Sequence, residues 1–226
     1  MFGRLVSHMR VEIWSDVACP WCYVGLARFE QAVSETGVDV DVVFRAFELD
    51  PTVPTGAASP LLVDYLSRKF GDASRVRAGH ARLSSVGADA GIDFRWEGMR
   101  RANTFDAHRL LTWALETVGA DAQRTLKRAL LHAYFTDGLD VADHGVLTDL
   151  AGESGLDRDG AAAVLTSEQW ADHVREERGE AHRNGIAAVP TFVVEREWML
   201  QGAHDTDAWV RALRHMQAKQ TEQAQP

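Results

Sequence analysis

The 226-residue chain holds two cysteines, Cys19 and Cys22, with Pro20 and Trp21 between them. Disulfide exchange requires a thiolate that persists near neutral pH and a second thiol close enough to resolve a mixed disulfide. A Cys-x-x-Cys at the start of a helix supplies both, because unpaired N–H groups of the first turn and the helix dipole favour an anion there. Cys19 is then the attacking sulfur, and Cys22, one turn in and less exposed, is the resolving one. Pro20 stiffens the turn and Trp21 covers part of it, so both would tune the reduced form and the surface offered to substrate. Zinc knuckles share this spacing, but tetrahedral zinc needs two further ligands. Neither a second cysteine pair nor a closely spaced histidine pair follows, so no metal is expected. A pair of inert buried cysteines is the remaining alternative.

The flanking elements suit the redox reading. Val11–Trp14 reads as a short strand and Ser15–Ala18 as the loop that delivers the chain to Cys19. From there Tyr23, Leu26, Phe29 and Val33 recur at helical spacing up to Gly37, and Pro20 is tolerated in a first turn. A second strand is expected over Val38–Phe47, then a loop over Thr52–Pro60. The next stretch reads as almost wholly helical: Leu61–Phe70, Ala73–Gly87, Thr104–Val118, Ala122–Thr136, Asp143–Ser154, Asp157–Leu165 and Ser167–Asn184. Strands return at Thr191–Val194 and Trp198–Gly202, spaced as a hairpin, and a last helix over Thr206–Lys219 buries Trp209, Leu213 and Met216. The expected fold class is α/β, with the order β-α-β, helical block, β-β-α. Residues 9–58 and 185–219 form one discontinuous domain and 59–184 an inserted helical domain, while a leader over 1–8 and a tail over 220–226 lack a fixed structure.

Other residues earn a place through position. Pro190 stands at the mouth of a strand between Val189 and Thr191, and proline is confined to strand edges. Asp16 lies three residues before Cys19, where it would either oppose the thiolate and relay a proton to Cys22 or cap the helix. Asn103 and His108 open an insertion helix in the run Asn103-Thr104-Phe105-Asp106-Ala107-His108-Arg109, as a cap or facing the site.

A net charge of −9 argues against a phosphate backbone as partner, and Arg100-Arg101 is too small a basic patch to reverse that. No run of about 18 apolar residues is present, and the first ten residues lack an apolar signal core, so the expected setting is the cytoplasm, off the membrane. Oligomeric state is open, with a homodimer compatible.

Cys-Pro-Trp-Cys after a strand, the Val-Pro-Thr-Phe run at 189–192 and the intervening Asn-Thr-x-x-Ala-His-Arg together resemble the DsbA-like thioredoxin-fold superfamily, nearest its FrnE-like branch. The resemblance spans Val11 to about Met216. It implies a thioredoxin fold with a helical insertion and a thiol-disulfide oxidoreductase acting on protein or small-molecule thiols. It needs no cofactor beyond its redox-active disulfide, with glutathione open as a co-substrate. It also implies a cis Pro190 packed on the cysteine pair, and a Val189 backbone that meets extended substrate. Secreted relatives carry a histidine where Trp21 stands, and thioredoxins keep a buried carboxylate where Ile13 stands. The alternative within the superfamily is a glutathione-dependent isomerase or transferase of the 2-hydroxychromene-2-carboxylate isomerase or kappa type. Those enzymes typically carry serine in place of Cys19. A non-catalytic peptide-binding module is a third class, disfavoured by the intact cysteines.

Overall fold

The computed structural model describes residues 8–54 and 59–223. Four strands form one sheet: β1 (Met9–Ser15), β2 (Val40–Ala46), β3 (Thr191–Val194) and β4 (Trp198–Gln201), in the order β2-β1-β3-β4. β1 pairs parallel with β2 and antiparallel with β3, and β3 pairs antiparallel with β4. Parallel pairing of β1 and β2 demands a crossover, supplied by helix α1 (Pro20–Thr36). Gly37 closes that helix at φ 64°, a backbone region that glycine enters without a Cβ penalty.

Alternation along the strands sends two different surfaces outward. Ile13 pairs with both Phe44 and Phe192, giving an apolar row across the sheet. On it lie α1 and the last helix, α9 (Thr206–Gln223). Trp209 of α9 is fully buried, its ring centroid 4.6 Å from Phe192 and 5.0 Å from Phe29. The opposite surface carries Trp14, packed with Ala181 and Ile186, and the buried Glu12. Arg45 donates to Glu12 at 2.5 Å and to Glu177 at 2.8 Å. Burial alone would raise the Glu12 carboxyl, but Arg45 and Arg10 outweigh it and hold it below its ordinary value.

Between the halves of the sheet run α2 (Leu62–Phe70), α3 (Ala73–Asp89), α4 (Phe105–Thr117), α5 (Ala120–His132), α6 (His144–Glu153), α7 (Arg158–Leu165) and α8 (Ala171–Arg183). The helical block shares the core of the sheet: Leu126, Leu130 and Phe135 belong to the same buried cluster as Ile13, Phe44 and Phe192. Because β2 is an edge strand, its outward backbone groups need partners. Side chains provide them. Gln123 of α5 accepts from Phe44 N–H at 2.8 Å and donates to Phe44 C=O at 2.9 Å, and Glu177 of α8 accepts from Ala46 N–H at 2.7 Å.

Several boundaries differ from the expectation. The last helix continues to Gln223, so 220–223 are not an unstructured tail: Lys219 pairs with Glu222 at 3.0 Å and no proline intervenes before the end of the helix. His8, assigned to the leader, lies 3.1 Å from Asp39; residues 1–7, 55–58 and 224–226 lie outside the described residues. The helix expected over Ala122–Thr136 is α-helical only to His132 and widens into a π turn over Ala133–Asp137, which the 3.6-residue period does not reveal. The helix expected from Ser167 starts at Ala171, after Trp170 turns left-handed at φ 64°.

Gln123→Leu removes both partners of the Phe44 backbone while keeping side-chain bulk. At about 1–3 kcal/mol for each buried unsatisfied group, the urea midpoint is expected to fall, with little change in the denaturant slope.

Candidate active site

β1 ends at Ser15, and the loop that follows brings Cys19 to the N-cap of α1 in extended backbone, φ −101° and ψ 110°. Its sulfur takes the role usually filled by a capping oxygen: Cys22 N–H donates to Cys19 Sγ at 3.3 Å. Pro20 occupies the first turn, where its missing N–H is no loss. Both thiols are free and mostly buried, Cys19 4% exposed and Cys22 2%, while Trp21 between them reaches solvent at 37%. Burial, then the hydrogen bond and charge of Cys19, push the Cys22 thiol well above its ordinary value.

The second wall is the entry to β3. The Val189–Pro190 peptide is cis, and Val189 C=O lies 3.7 Å from Cys19 Sγ. Gly25, on the face of α1 turned to this wall, makes the approach sterically possible. A Cβ there would stand 2.9 Å from Pro190 Cγ and 3.4 Å from Ala203.

Polar groups under the motif come from three directions. Asp16 is 1% exposed; its carboxylate accepts from Leu49 N–H at 2.7 Å and Ala18 N–H at 3.3 Å. His108 Nε2 of α4 stands 3.4 Å from Asp16 Oδ1 without a formed hydrogen bond. Burial raises the Asp16 carboxyl, but His108 and the Leu49 N–H more than offset this and leave it below its ordinary value. Glu48 shifts the other way, raised by burial with Asp16 nearby, although Arg178 donates to it at 3.2 Å. Lys127 of α5 is 1% exposed with no hydrogen-bond partner for its Nζ. Beside Pro20 and Trp21 a cavity of about 630 Å³ opens, walled by Tyr65, Phe70, Trp96, Tyr134 and Phe135. Arg101 lies against it, stacked 3.6 Å from the Tyr65 ring centroid and paired with Asp50.

Residues 10–214 match the model of the DSBA-like thioredoxin domain family. The chain belongs to that family. Its fold superposes with TM-score 0.85 on the crystal structure of the probable DsbA oxidoreductase SCO1869 from Streptomyces coelicolor, at 38% identity, covering 92% of this chain and 89% of that one. The uncharacterized protein YwbO of Bacillus subtilis (strain 168) is 26% identical over 213 residues, 93% of this chain and 98% of YwbO. The cytosolic disulfide reductase DsbM from Pseudomonas aeruginosa, solved with GSH, shares the fold at TM-score 0.60 and 20% identity, over 92% of this chain and 99% of DsbM.

In this DSBA-like chain Cys19, Cys22, Pro20, Trp21, Val189 and Pro190 converge at the start of α1, and Asp16 and His108 meet beneath them. Asp16 does not cap α1, since the Cys19 sulfur does so; its carboxylate instead ties the loop to Leu49. Asn103 turns elsewhere: its Oδ1 accepts from Phe105 N–H at 3.0 Å and its Nδ2 donates to Val53 C=O, so it starts α4 and anchors the cavity rim. Among the described residues no group of three or more His, Cys, Asp or Glu side chains could hold a metal ion. Sequence reasoning missed Lys127. The signal was present, because the buried stripe of α5 runs 123, 126, 127, 130, 131 and two of those positions are Gln and Lys.

Gly25→Ala forces Pro190 or Ala203 to move. Overpacking of this kind costs about 1–3 kcal/mol, expected as a lower melting temperature than wild type in a thermal scan of the reduced protein.

Proposed function

We propose that Cys19 and Cys22 are the redox pair of a cytoplasmic thiol-disulfide oxidoreductase of the FrnE-like type, with Cys19 attacking and Cys22 resolving. DSBA-like family membership supplies the reaction class. The observation that carries the assignment of roles is the N-cap position of Cys19, where its sulfur receives the Cys22 N–H and faces Val189 C=O, while Cys22 is held below with its thiol pushed up by burial. The Cys19 thiolate attacks one sulfur of a substrate disulfide, expelling the other as a thiolate and leaving a mixed disulfide. The Cys22 thiolate then attacks Cys19 Sγ, the internal disulfide forms, and the substrate leaves with the two electrons. Run backwards, the same steps oxidise a dithiol.

Two routes lead to Cys19. An extended polypeptide would pass along Val189, where main-chain hydrogen bonds give affinity with little side-chain selectivity. A low-molecular-weight disulfide, glutathione-derived ones included, would enter through the aromatic cavity beside Trp21. Trp21 and Pro20 would tune the potential and the contact surface, and Asp16 and His108 would support proton movement beneath. Among the described residues no helix is long and apolar enough to cross a membrane. The cavity also favours a second reading, a glutathione-dependent isomerase, for which the cysteines would not need to cycle.

The deciding experiment equilibrates the protein in glutathione redox buffers and traps free thiols. A reversible two-electron transition is expected, lost in Cys19→Ser, and Cys22→Ser is expected to accumulate a mixed disulfide on Cys19. A midpoint near about −270 mV marks a reductant and one near about −120 mV an oxidant. Absence of any internal disulfide, with isomerase activity intact in Cys22→Ser, would leave the second reading standing.

A further inference from the structure

Helix α2 buries none of its residues, although Leu62, Tyr65, Leu66 and Phe70 recur along one side of it at helical spacing. All four line the cavity beside the cysteine motif, and Phe70 is still 60% exposed. The apolar side of α2 thus borders open space more than it packs on protein. At about 630 Å³ that space is in the range of sites for small organic molecules, about 300–1,000 Å³.

The cavity offers rings and few hydrogen bonds. Tyr134 O–H donates to Arg100 C=O at 2.7 Å, Tyr65 O–H to Asp50 at 3.1 Å and Trp96 Nε1–H to Ser84 Oγ at 2.8 Å, so the polar ends of these rings are already used. The carboxylates of the wall are committed as well: Asp50 pairs with Arg101, and Asp16 accepts from Leu49 and Ala18 N–H. A glutathionyl group carries two carboxylates, an ammonium and two amides, and each one that entered would lose water without gaining a partner. An aromatic body would shed only apolar hydration and would meet ring edges and faces. Cations at the rim are left over. Lys69 Nζ lies 5.6 Å from the Tyr65 ring centroid and 5.9 Å from that of Phe70, and Arg75 lines the same cavity from α3. Both side chains are exposed, and neither has a carboxylate partner among the described residues. Residues 62–89 carry Arg68, Lys69, Arg75, Arg77 and Arg82 against Asp64, Asp72 and Asp89, a positive excess in a chain of net charge −9.

We propose that this cavity is a binding site for an aromatic organic anion, its rings held among Tyr65, Leu66, Phe70 and Trp96 and its charged end met by Lys69 and Arg75. The peptide part of glutathione is not its ligand. The inference narrows the low-molecular-weight route to Cys19 proposed above and rests on that reading only in taking the ligand for a substrate. The ligand class itself follows from the cavity walls, whether or not Cys19 and Cys22 cycle.

Isothermal titration calorimetry of the full, reduced chain tests this with a sulfur-free probe, 2-naphthoate, and its neutral isostere 2-naphthamide. Naphthoate is expected to bind saturably at one site, and naphthamide about fivefold more weakly, the scale of an exposed charge interaction. Neutralising the rim with Lys69→Gln and Arg75→Gln together is expected to abolish that preference while naphthamide binds as before. Leu66→Glu, on a helix that buries nothing, is expected to weaken naphthoate about tenfold or more, because it sets a carboxylate in the apolar wall. The proposal is overturned by wild-type protein that does not bind naphthoate, that binds the amide equally well, or that releases naphthoate to reduced glutathione. Unaltered naphthoate binding in Leu66→Glu overturns it too, by placing the probe elsewhere. Should Leu66→Glu not fold, the exposed Lys69 and Arg75 decide, and a preference that survives their replacement refutes the assignment. Intact naphthoate binding in a protein whose cysteines form no internal disulfide would uphold the site and remove the redox reading instead.

Discussion

Gln123 answers both backbone groups of Phe44 at once, and the position of the helical block on the sheet follows from that pair of bonds. β2 is the edge of a four-stranded sheet, and an edge that is buried rather than solvated must be matched group by group. A fifth strand would have done this by backbone alone. Here an amide from α5 and a carboxylate from α8 do it, which ties the helices to the strand residue by residue. Lys127 beside the Phe44 ring, and the Tyr134 and Phe135 wall of the cavity in the π turn that follows, are placed by this docking.

The two surfaces of the sheet handle buried charge in different ways. On one, Glu12, Arg45 and Glu177 form a closed cluster in which the carboxylates and the guanidinium find each other. Such a cluster contributes little net stability once desolvation is counted, but it defines how α8 meets β2. On the other the arrangement is open: Asp16 and His108 approach without a formed hydrogen bond, and Lys127, beside Phe44, has none.

Two surfaces of unlike chemistry flank the cysteine motif. The Val189 edge presents backbone and Trp21 presents an aromatic face, while the cavity behind Trp21 is lined chiefly by rings. The close approach of α1 to Pro190 depends on the missing side chain of Gly25, so the geometry of this mouth is set inside the helix as well as by the strand. The motif and its mouth are therefore one packed unit, and changes to either would be felt by the other.

The sequence alone determined the elements and the spacing of the cysteine pair, because both are written in short-range terms. Strand alternation, the helical recurrence of Tyr23, Leu26, Phe29 and Val33, and a Cys-x-x-Cys at a helix start are patterns of neighbours, and they put Cys19 and Cys22 at the start of a helix and Pro190 at the mouth of a strand. Boundaries were legible except where they depended on packing or an unusual turn: the π widening after His132, the left-handed Trp170 and the extension of α9 to Gln223. Only the tertiary structure decided that Asn103 anchors Val53, that Asp16 ties Leu49 to its loop beside His108, and that Lys127 is buried beside the Phe44 ring. Those contacts join residues far apart in sequence through the docking of α4 and α5 on the sheet. No local spacing encodes which edge of a strand a distant amide will satisfy, or which buried amine will be left without a partner.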